Sequence, residues 1–415
     1  MADVPLVRAQ SYPQLAESMP ERCKSVLSTP PGVEAEDGSK QRTRFAATRA
    51  RMRPGLRVRV CPGRLLGRRQ LEFGRSPVTA PNLPVCPKRM VFGPCGGVKT
   101  DRSCELGAFQ CAFADLEDAV DWTGPAAVRP SPQGVLALDP SRPLVLSDMT
   151  LRPFDRRSIE QVTSIMAESC DALLIGEHQS RPDFPPAQLV SFVKEAGGRA
   201  VVTLTCRDRN RVVLEQELAG LAELGAAGVL CVTGDGRAPG VRPEVTQVFD
   251  LDGTRLAAMA FEAGLPVLVP ESPDAAPVAL RPGRLLQKQR AGAGLCVLNH
   301  TGSVDAVDRF VRAARSLGVT VPIVAAVSVY TDQLSADVLR AFPGLHLQDE
   351  AVAAVLDAAD PVSAGIDAAV AEARALLAID GVVGVNVSGL ASGRGVEAGA
   401  EVKAAVGLGI RGVRR

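Results

Sequence analysis

Aromatic side chains are scarce in this chain. They make up 4% of 415 residues, with one tryptophan and two tyrosines. Proteins that bind single strands stack bases on aromatic platforms, so the scarcity disfavours that class. Charge of one sign is missing too. Lys and Arg number 47 against 46 Asp and Glu, a formal net charge of +1, so no overall field steers a polyanion. No run of about 18 apolar residues occurs, and no membrane span is expected. No apolar segment follows basic residues near the N-terminus, so no secretory signal is read and a cytoplasmic location is expected. The ten cysteines then read as thiols or metal ligands rather than disulfides.

What is present divides the chain into four. Residues 1–80 show weak apolar periodicity and abundant Pro, Ser and Arg, and read as a disordered basic tail. Residues 81–125 are rich in cysteine and glycine. Residues 126–141 carry the Pro and Ser of a linker. From 142 to 415, apolar β-branched runs alternate with helical periodicity. The clearest unit is 200–235. Ala200 to Cys206 is a continuous apolar run, the mark of a strand buried on both faces. Asn210 is placed to cap the helix that follows, and Gly225 to end it. Gly228 to Val232 is the next strand, ending in Thr233-Gly234-Asp235. Eight strands are expected, at 144–148, 172–176, 200–205, 228–233, 266–269, 295–299, 322–327 and 381–387. Eight such repeats predict an α/β fold, a (β/α)8 TIM-type barrel behind a small cysteine-rich module. A doubly wound open sheet is the competing architecture, but no GxGxxG follows the first strand.

Within the module, Cys86, Cys95, Cys104 and Cys111 fall close together, with Gly96, Gly97 and Gly107 between them. Four thiolates in a short segment suit a tetrahedral zinc or an iron–sulfur cluster. The spacing contains no CxxC pair and does not choose between them. In the barrel, strand ends are where side chains meet a ligand. Asp148, Asp235, Asn299 and His300 sit at such ends, as does His178 beside Glu177. Histidine titrates near neutral pH and suits proton transfer. The Gly- and Ser-rich stretch 386–395 is a candidate phosphate cradle.

TLTCRDRN, then a helix and VLCVTGD, closely resembles the core of the methylenetetrahydrofolate reductase family. VFDLD at 248–252, KQRAGAG at 288–294 and VPIVAAV at 321–327 follow in the same order. VCPKRMVFGPCGG followed by CELG is similar to the cysteine-rich module associated with that family and, in acetogenic bacteria, with electron transfer. The resemblance implies a barrel that binds a reduced folate and reduces its one-carbon unit. It implies a flavin (FAD or FMN), NAD(P)H, an iron–sulfur cluster or zinc in the module, and an electron-transfer partner. It places Asp235 near the flavin and the folate, Lys288 on the flavin's phosphate or ribitol, and Thr205 at the same strand end. Asp148 stands near the family's strand-one glutamate. Asn299 and His300 replace its glutamine region, and Tyr330 is the aromatic placed to help stack a ring. Thr203, Val269, Pro273 and Arg281 depart from the family's pattern. Flavin binding is therefore expected to be weak or absent. A flavin-independent reductase, a methyl-transfer protein and a metal-bearing accessory subunit stay open beside a divergent oxidoreductase.

Overall fold

The structure is a computed structural model. It describes residues 86–127, 136, 138–238, 240–341, 345 and 347–412. The expected tail, Cys23, Cys61, His346 and most of the expected linker lie outside them.

Eight parallel strands close into a barrel in sequence order. They are β1 (Leu144–Met149), β2 (Ala172–Ile175), β3 (Ala200–Thr205), β4 (Gly228–Val232), β5 (Val267–Glu271), β6 (Leu295–Leu298), β7 (Ile323–Tyr330) and β8 (Val382–Ala391). Closure is made by β1 against β8, with Leu146 opposite Asn386. Among the described residues, ten α-helices accompany the sheet: α1 (Arg156–Met166), α2 (Pro186–Glu195), α3 (Arg211–Leu224), α4 (Gly253–Glu262), α5 (Arg281–Arg290), α6 (Val304–Ser316), α7 (Gln333–Arg340), α8 (Asp349–Leu356), α9 (Pro361–Leu377) and α10 (Val396–Ile410). The open-sheet alternative is thereby excluded. Asn210 accepts the Val213 N–H at 3.0 Å, and Gly225 ends α3 at φ 64°. None of the described helices is long and apolar enough to cross a membrane.

Strand periodicity explains the two cores. Successive residues of a strand face opposite sides. Leu144 and Leu146, Ala172 and Leu174, Leu230, Leu268, Leu295 and Val297 fill the barrel's interior. Leu136 joins that inner cluster, with Leu138 packed against it. The alternate residues, such as Val145, Val202 and Val269, pack outward under the helices.

The cysteine-rich segment belongs to the same compact unit as the barrel. Asp252 shows how the two are joined. It is 0% exposed. One oxygen caps α4 by accepting the Arg255 N–H, and the other accepts the Val91 N–H at 2.9 Å. Phe92 and Trp122 of the segment pack with Ala258 and Ala291 of the barrel helices, their rings 4.8 Å apart. Asp252→Ala removes a cap and a charge-assisted bond to the segment together. It should cost about 2–4 kcal/mol in urea denaturation. Asp252→Asn, which keeps the cap, should lose less.

Candidate functional site

The cavity at the mouth of the barrel is built by the layer above the apolar interior. On β1 the inward positions run Leu144, Leu146, Asp148, and on β8 Asn386 is followed two residues on by Ser388. Hence the third inward layer is polar where the lower two are not. Asp148 accepts hydrogen bonds from Asn386 Nδ2 at 2.9 Å and Ser388 Oγ at 2.6 Å. Behind it, the buried Lys403 of α10 donates to the Asp148 carbonyl at 2.8 Å. Burial pushes the Lys403 pKa down to about 8, and the Asp148 charge opposes the fall. His300 stands just past β6, with Nδ1 at 3.1 Å from Ser328 Oγ. Burial lowers its pKa, and the Asp148 charge opposes the fall. Asn299 donates to Ser272 Oγ at 2.7 Å. The cavity these groups border holds about 320 Å³ and has Leu174, Leu230 and Val297 among its apolar walls. Two buried oxygens on its wall, Thr205 Oγ1 and Asn386 Oδ1, have no partner among the described residues.

One side of the cavity is electrostatic. Glu271 ends β5, is 3% exposed, and faces three cations of α5. Lys288 lies at 2.8 Å, Arg281 at 3.4 Å and Arg284 at 3.7 Å. Positions 281, 284 and 288 share one helical face, which here turns inward. Burial works against the Glu271 charge. Lys288, Arg284 and Arg281 outweigh it and hold the pKa down to about 2.

The cysteine segment forms the roof. Cys95, Gly96 and Gly97 border the same cavity. Gly96 has no room for a side chain, because a Cβ would lie 2.7 Å from Ser272 Oγ. The α5 cations hold the roof in place by its carbonyls. Arg284 donates to Phe92 at 2.8 Å and Arg281 to Cys95 at 3.0 Å. Lys88 donates to the Gly234 carbonyl at 2.7 Å and pairs with Glu105. Burial opposes its charge, but Cys95, Glu105 and Asp235 raise its pKa overall.

Cys86, Cys95, Cys104 and Cys111 surround a second, small cavity of about 20 Å³, which Lys88 also borders. Burial pushes the Cys86 and Cys111 thiols up, and the neighbouring cysteines add to the rise. All four are free thiols. Among the described residues no group of three or more His, Cys, Asp or Glu is set to hold a metal ion directly. The sulfurs share a cavity without closing on one point.

The structure thus gathers Asp148, Thr205, Asp235, Lys288, Asn299 and His300 around one cavity. Asp235 is exposed at its rim. Lys288 borders the cavity with its ammonium paired to Glu271 and bonded to the Pro270 carbonyl. Tyr330 is placed elsewhere. It packs with Leu339, Val352 and Val355 of α7 and α8, away from the cavity. In the stretch expected to cradle phosphate, the Gly393 N–H donates to Asp332 at 2.7 Å and the Ser392 hydroxyl at 3.1 Å. His178 and Glu177 border a neighbouring cavity, which Glu177 shares with the first. Glu271 is a site residue that the sequence reading does not single out, and Asn386 and Ser388, from the stretch expected to cradle phosphate, bind Asp148. The Pro-Glu at the end of an apolar run was the available signal for Glu271.

No family model matches the chain, and no curated protein matches it. Solved structures are similar in fold. One is an uncharacterized protein from Clostridium thermocellum that binds two copies of 5-methyl-5,6,7,8-tetrahydrofolic acid. It is 14% identical, covers 66% of this chain and 96% of its own, and has a TM-score of 0.44. Mycobacterium tuberculosis tryptophan synthase is 16% identical over 68% of this chain and 99% of its own, with a TM-score of 0.39. Dihydropteroate synthase from Thermus thermophilus, in complex with 6HMPPP, is 16% identical over 64% and 93%, with a TM-score of 0.37.

The Glu271 cluster yields a test by pH. The folded carboxyl titrates near 2 against an ordinary value of 4.5. Its contribution is therefore present above pH 4.5 and lost as pH falls toward 2, on the order of 3 kcal/mol. Glu271→Gln leaves three buried cations uncompensated and should cost about 3–5 kcal/mol at neutral pH. Denaturation across pH should show the wild type losing its advantage over the variant in that acid window.

Proposed function

We propose that this protein is an oxidoreductase that reduces the one-carbon group of a bound reduced folate, with an anionic metal–thiolate centre in the wall of its folate cavity. The observation that carries the reading is the position of Cys95. It borders both the four-cysteine cavity and the barrel cavity, so a redox centre on those sulfurs would adjoin whatever the barrel holds. The folate assignment rests on the motifs of 200–235 and their order along the chain, together with a polar layer over an apolar floor that suits a flat heterocycle.

Cys86, Cys95, Cys104 and Cys111 would hold a tetrathiolate centre once their sulfurs draw together round the cavity they share, and such a centre is anionic. Lys88, Arg281 and Arg284 lie buried around the segment, and the Cys95 charge is among the influences that favour the protonated forms of Lys88 and Arg281. Zinc draws four sulfurs to ~2.3 Å of one point. A cluster spreads its cysteines further apart, which is closer to sulfurs that ring a cavity without converging. Bound there, a cluster would supply or accept single electrons.

The residues do not fit a flavin. The cavity wall includes no Phe, Tyr or Trp among the described residues, Tyr330 lies elsewhere, and Lys288 is spent on Glu271. A nicotinamide cofactor, which supplies a hydride when bound, fits the chemistry better. A methylene bridge between two folate nitrogens is an aminal. It opens when one nitrogen is protonated, and the iminium carbon so formed takes up a hydride to become methyl. His300, in its protonated form, is the group placed to deliver that proton, which leaves the imidazole neutral and the positive charge on the iminium. Asp148, oriented by Asn386 and Ser388, would stabilise the imidazolium before the transfer and the iminium after it.

Two measurements test the reading. Protein purified without oxygen should contain one metal centre with a broad visible absorption band. Cys95→Ser should lose it, and full metal content in that variant would exclude the assignment. Methylenetetrahydrofolate reduction by His300→Asn should fall about 10²–10⁴-fold with folate binding kept. Wild-type activity should rise as pH drops toward the lowered His300 pKa.

A further inference from the structure

The loop that follows β4 carries Asp235 to the rim of the barrel cavity. The residues on either side of it are held by the cysteine-rich segment. Lys88 donates to the Gly234 carbonyl at 2.7 Å, and the Gly236 N–H donates to the Glu105 carboxylate at 2.8 Å. Lys88 and Glu105 are themselves an ion pair. One residue earlier, the Thr233 hydroxyl donates to the Met90 sulfur at 3.3 Å. Asp235 is exposed between these pinned neighbours. Among the described residues its carboxylate has no hydrogen bond or ion pair of its own.

A buried ion pair is a costly way to gain stability, because both charges leave water. Here Lys88 is 3% exposed and the Glu105 side chain 16%. What the pair does instead is hold a turn, since each member bonds its partner and the loop at once. Close packing fixes the same contact. A Cβ on Gly97 would run into the Glu105 carboxylate, and one on Gly236 would run into Leu106. Lys88 lines both the barrel cavity and the small cysteine cavity, whereas Glu105 is not among the residues lining either. Any effect of Glu105 on a ligand in the barrel therefore passes through the groups it holds.

We propose that Glu105, with Lys88, is a positioning residue of the ligand site, and that the pair fixes the turn which presents the Asp235 carboxylate to the ligand. A carboxylate on a free loop loses mobility when a ligand binds it, and that loss is subtracted from affinity. A turn tied on both sides has met the loss in folding. The inference rests on the function proposed above, in which the ligand is a reduced folate whose heterocycle offers N–H donors to a carboxylate.

Calorimetry on the full chain, with 5-methyltetrahydrofolate as the probe, tests it. Asp235→Asn should weaken binding about 10- to 100-fold, as loss of a charge-assisted bond does. Glu105→Ala should weaken it about 3- to 30-fold through lost preorganisation. The decisive variant combines the two. It should bind no more weakly than Asp235→Asn alone, because residues that act as one unit are not additive. Glu105→Gln can still accept the Gly236 N–H and should keep part of the affinity, and it carries the comparison if Glu105→Ala does not fold. Losses that multiply in the combined variant would mean that Glu105 supports the site only in general, and overturn the inference. So would an Asp235→Asn or a Glu105→Ala protein that binds as wild type does. Each of those outcomes leaves the folate reading standing. Wild type that does not bind the probe overturns the function and the positioning role together.

Discussion

A single carboxylate at the end of β5 holds three cations of α5 inside the protein. Moving charges out of water is costly, and it is tolerated only when partners and hydrogen bonds replace the water. Glu271 supplies the opposite charge. The carbonyls of Phe92, Pro94 and Cys95 supply further acceptors. Removing the carboxylate would strand the cations, and removing the roof would strand their remaining N–H groups. Barrel, α5 and cysteine segment are therefore interdependent, and the position of Cys95 over the cavity follows from charge satisfaction inside α5.

That arrangement governs what the mouth of the barrel can do. A bare barrel mouth opens to water. Here the cysteine segment contributes Lys88, Met90, Cys95, Gly96 and Gly97 to the wall, so the cavity is narrowed on the β4–β6 side. On the β1–β8 side the Asp148, Asn386 and Ser388 network lies within reach of the His300 ring. The two halves have different chemistries: buried positive charge beside sulfur on one, a carboxylate with an imidazole on the other.

Much of the fold was legible in the residues. Runs such as AVVTLT and GVLCV suit strands buried on both faces, and the regular recurrence of helical periodicity between them leaves a barrel as the economical closure. Asn210 and Gly225 fixed α3 to the residue because capping is local chemistry. Where local chemistry misled, a longer-range partner had intervened. β5 runs on to Glu271 because its carbonyl accepts the Asn299 N–H at 2.8 Å, and the apolar run alone stops before it. β8 extends to Ala391 through its pairing with β7, where Tyr330 sits opposite Ala391. Helix α8 escaped notice because its alanine-rich turns show little contrast between faces.

The site divides in the same way. The sequence by itself determined which side chains stand at strand ends, since period-two alternation and strand length place Asp148, Asp235, Asn299 and His300 there. It also determined that four cysteines would lie near one another, because a short glycine-rich stretch cannot separate them far. It could not tell a buried cation from a solvated one. RPGRLLQKQR reads as a basic surface helix until Glu271, ten residues before Arg281, turns that face inward. Nor could it show that Tyr330 faces α7 and α8, that Gly393 is already bound by Asp332, or that Cys95 belongs to two cavities at once. Those outcomes depend on which surfaces meet, and only the closed barrel with its roof decides that.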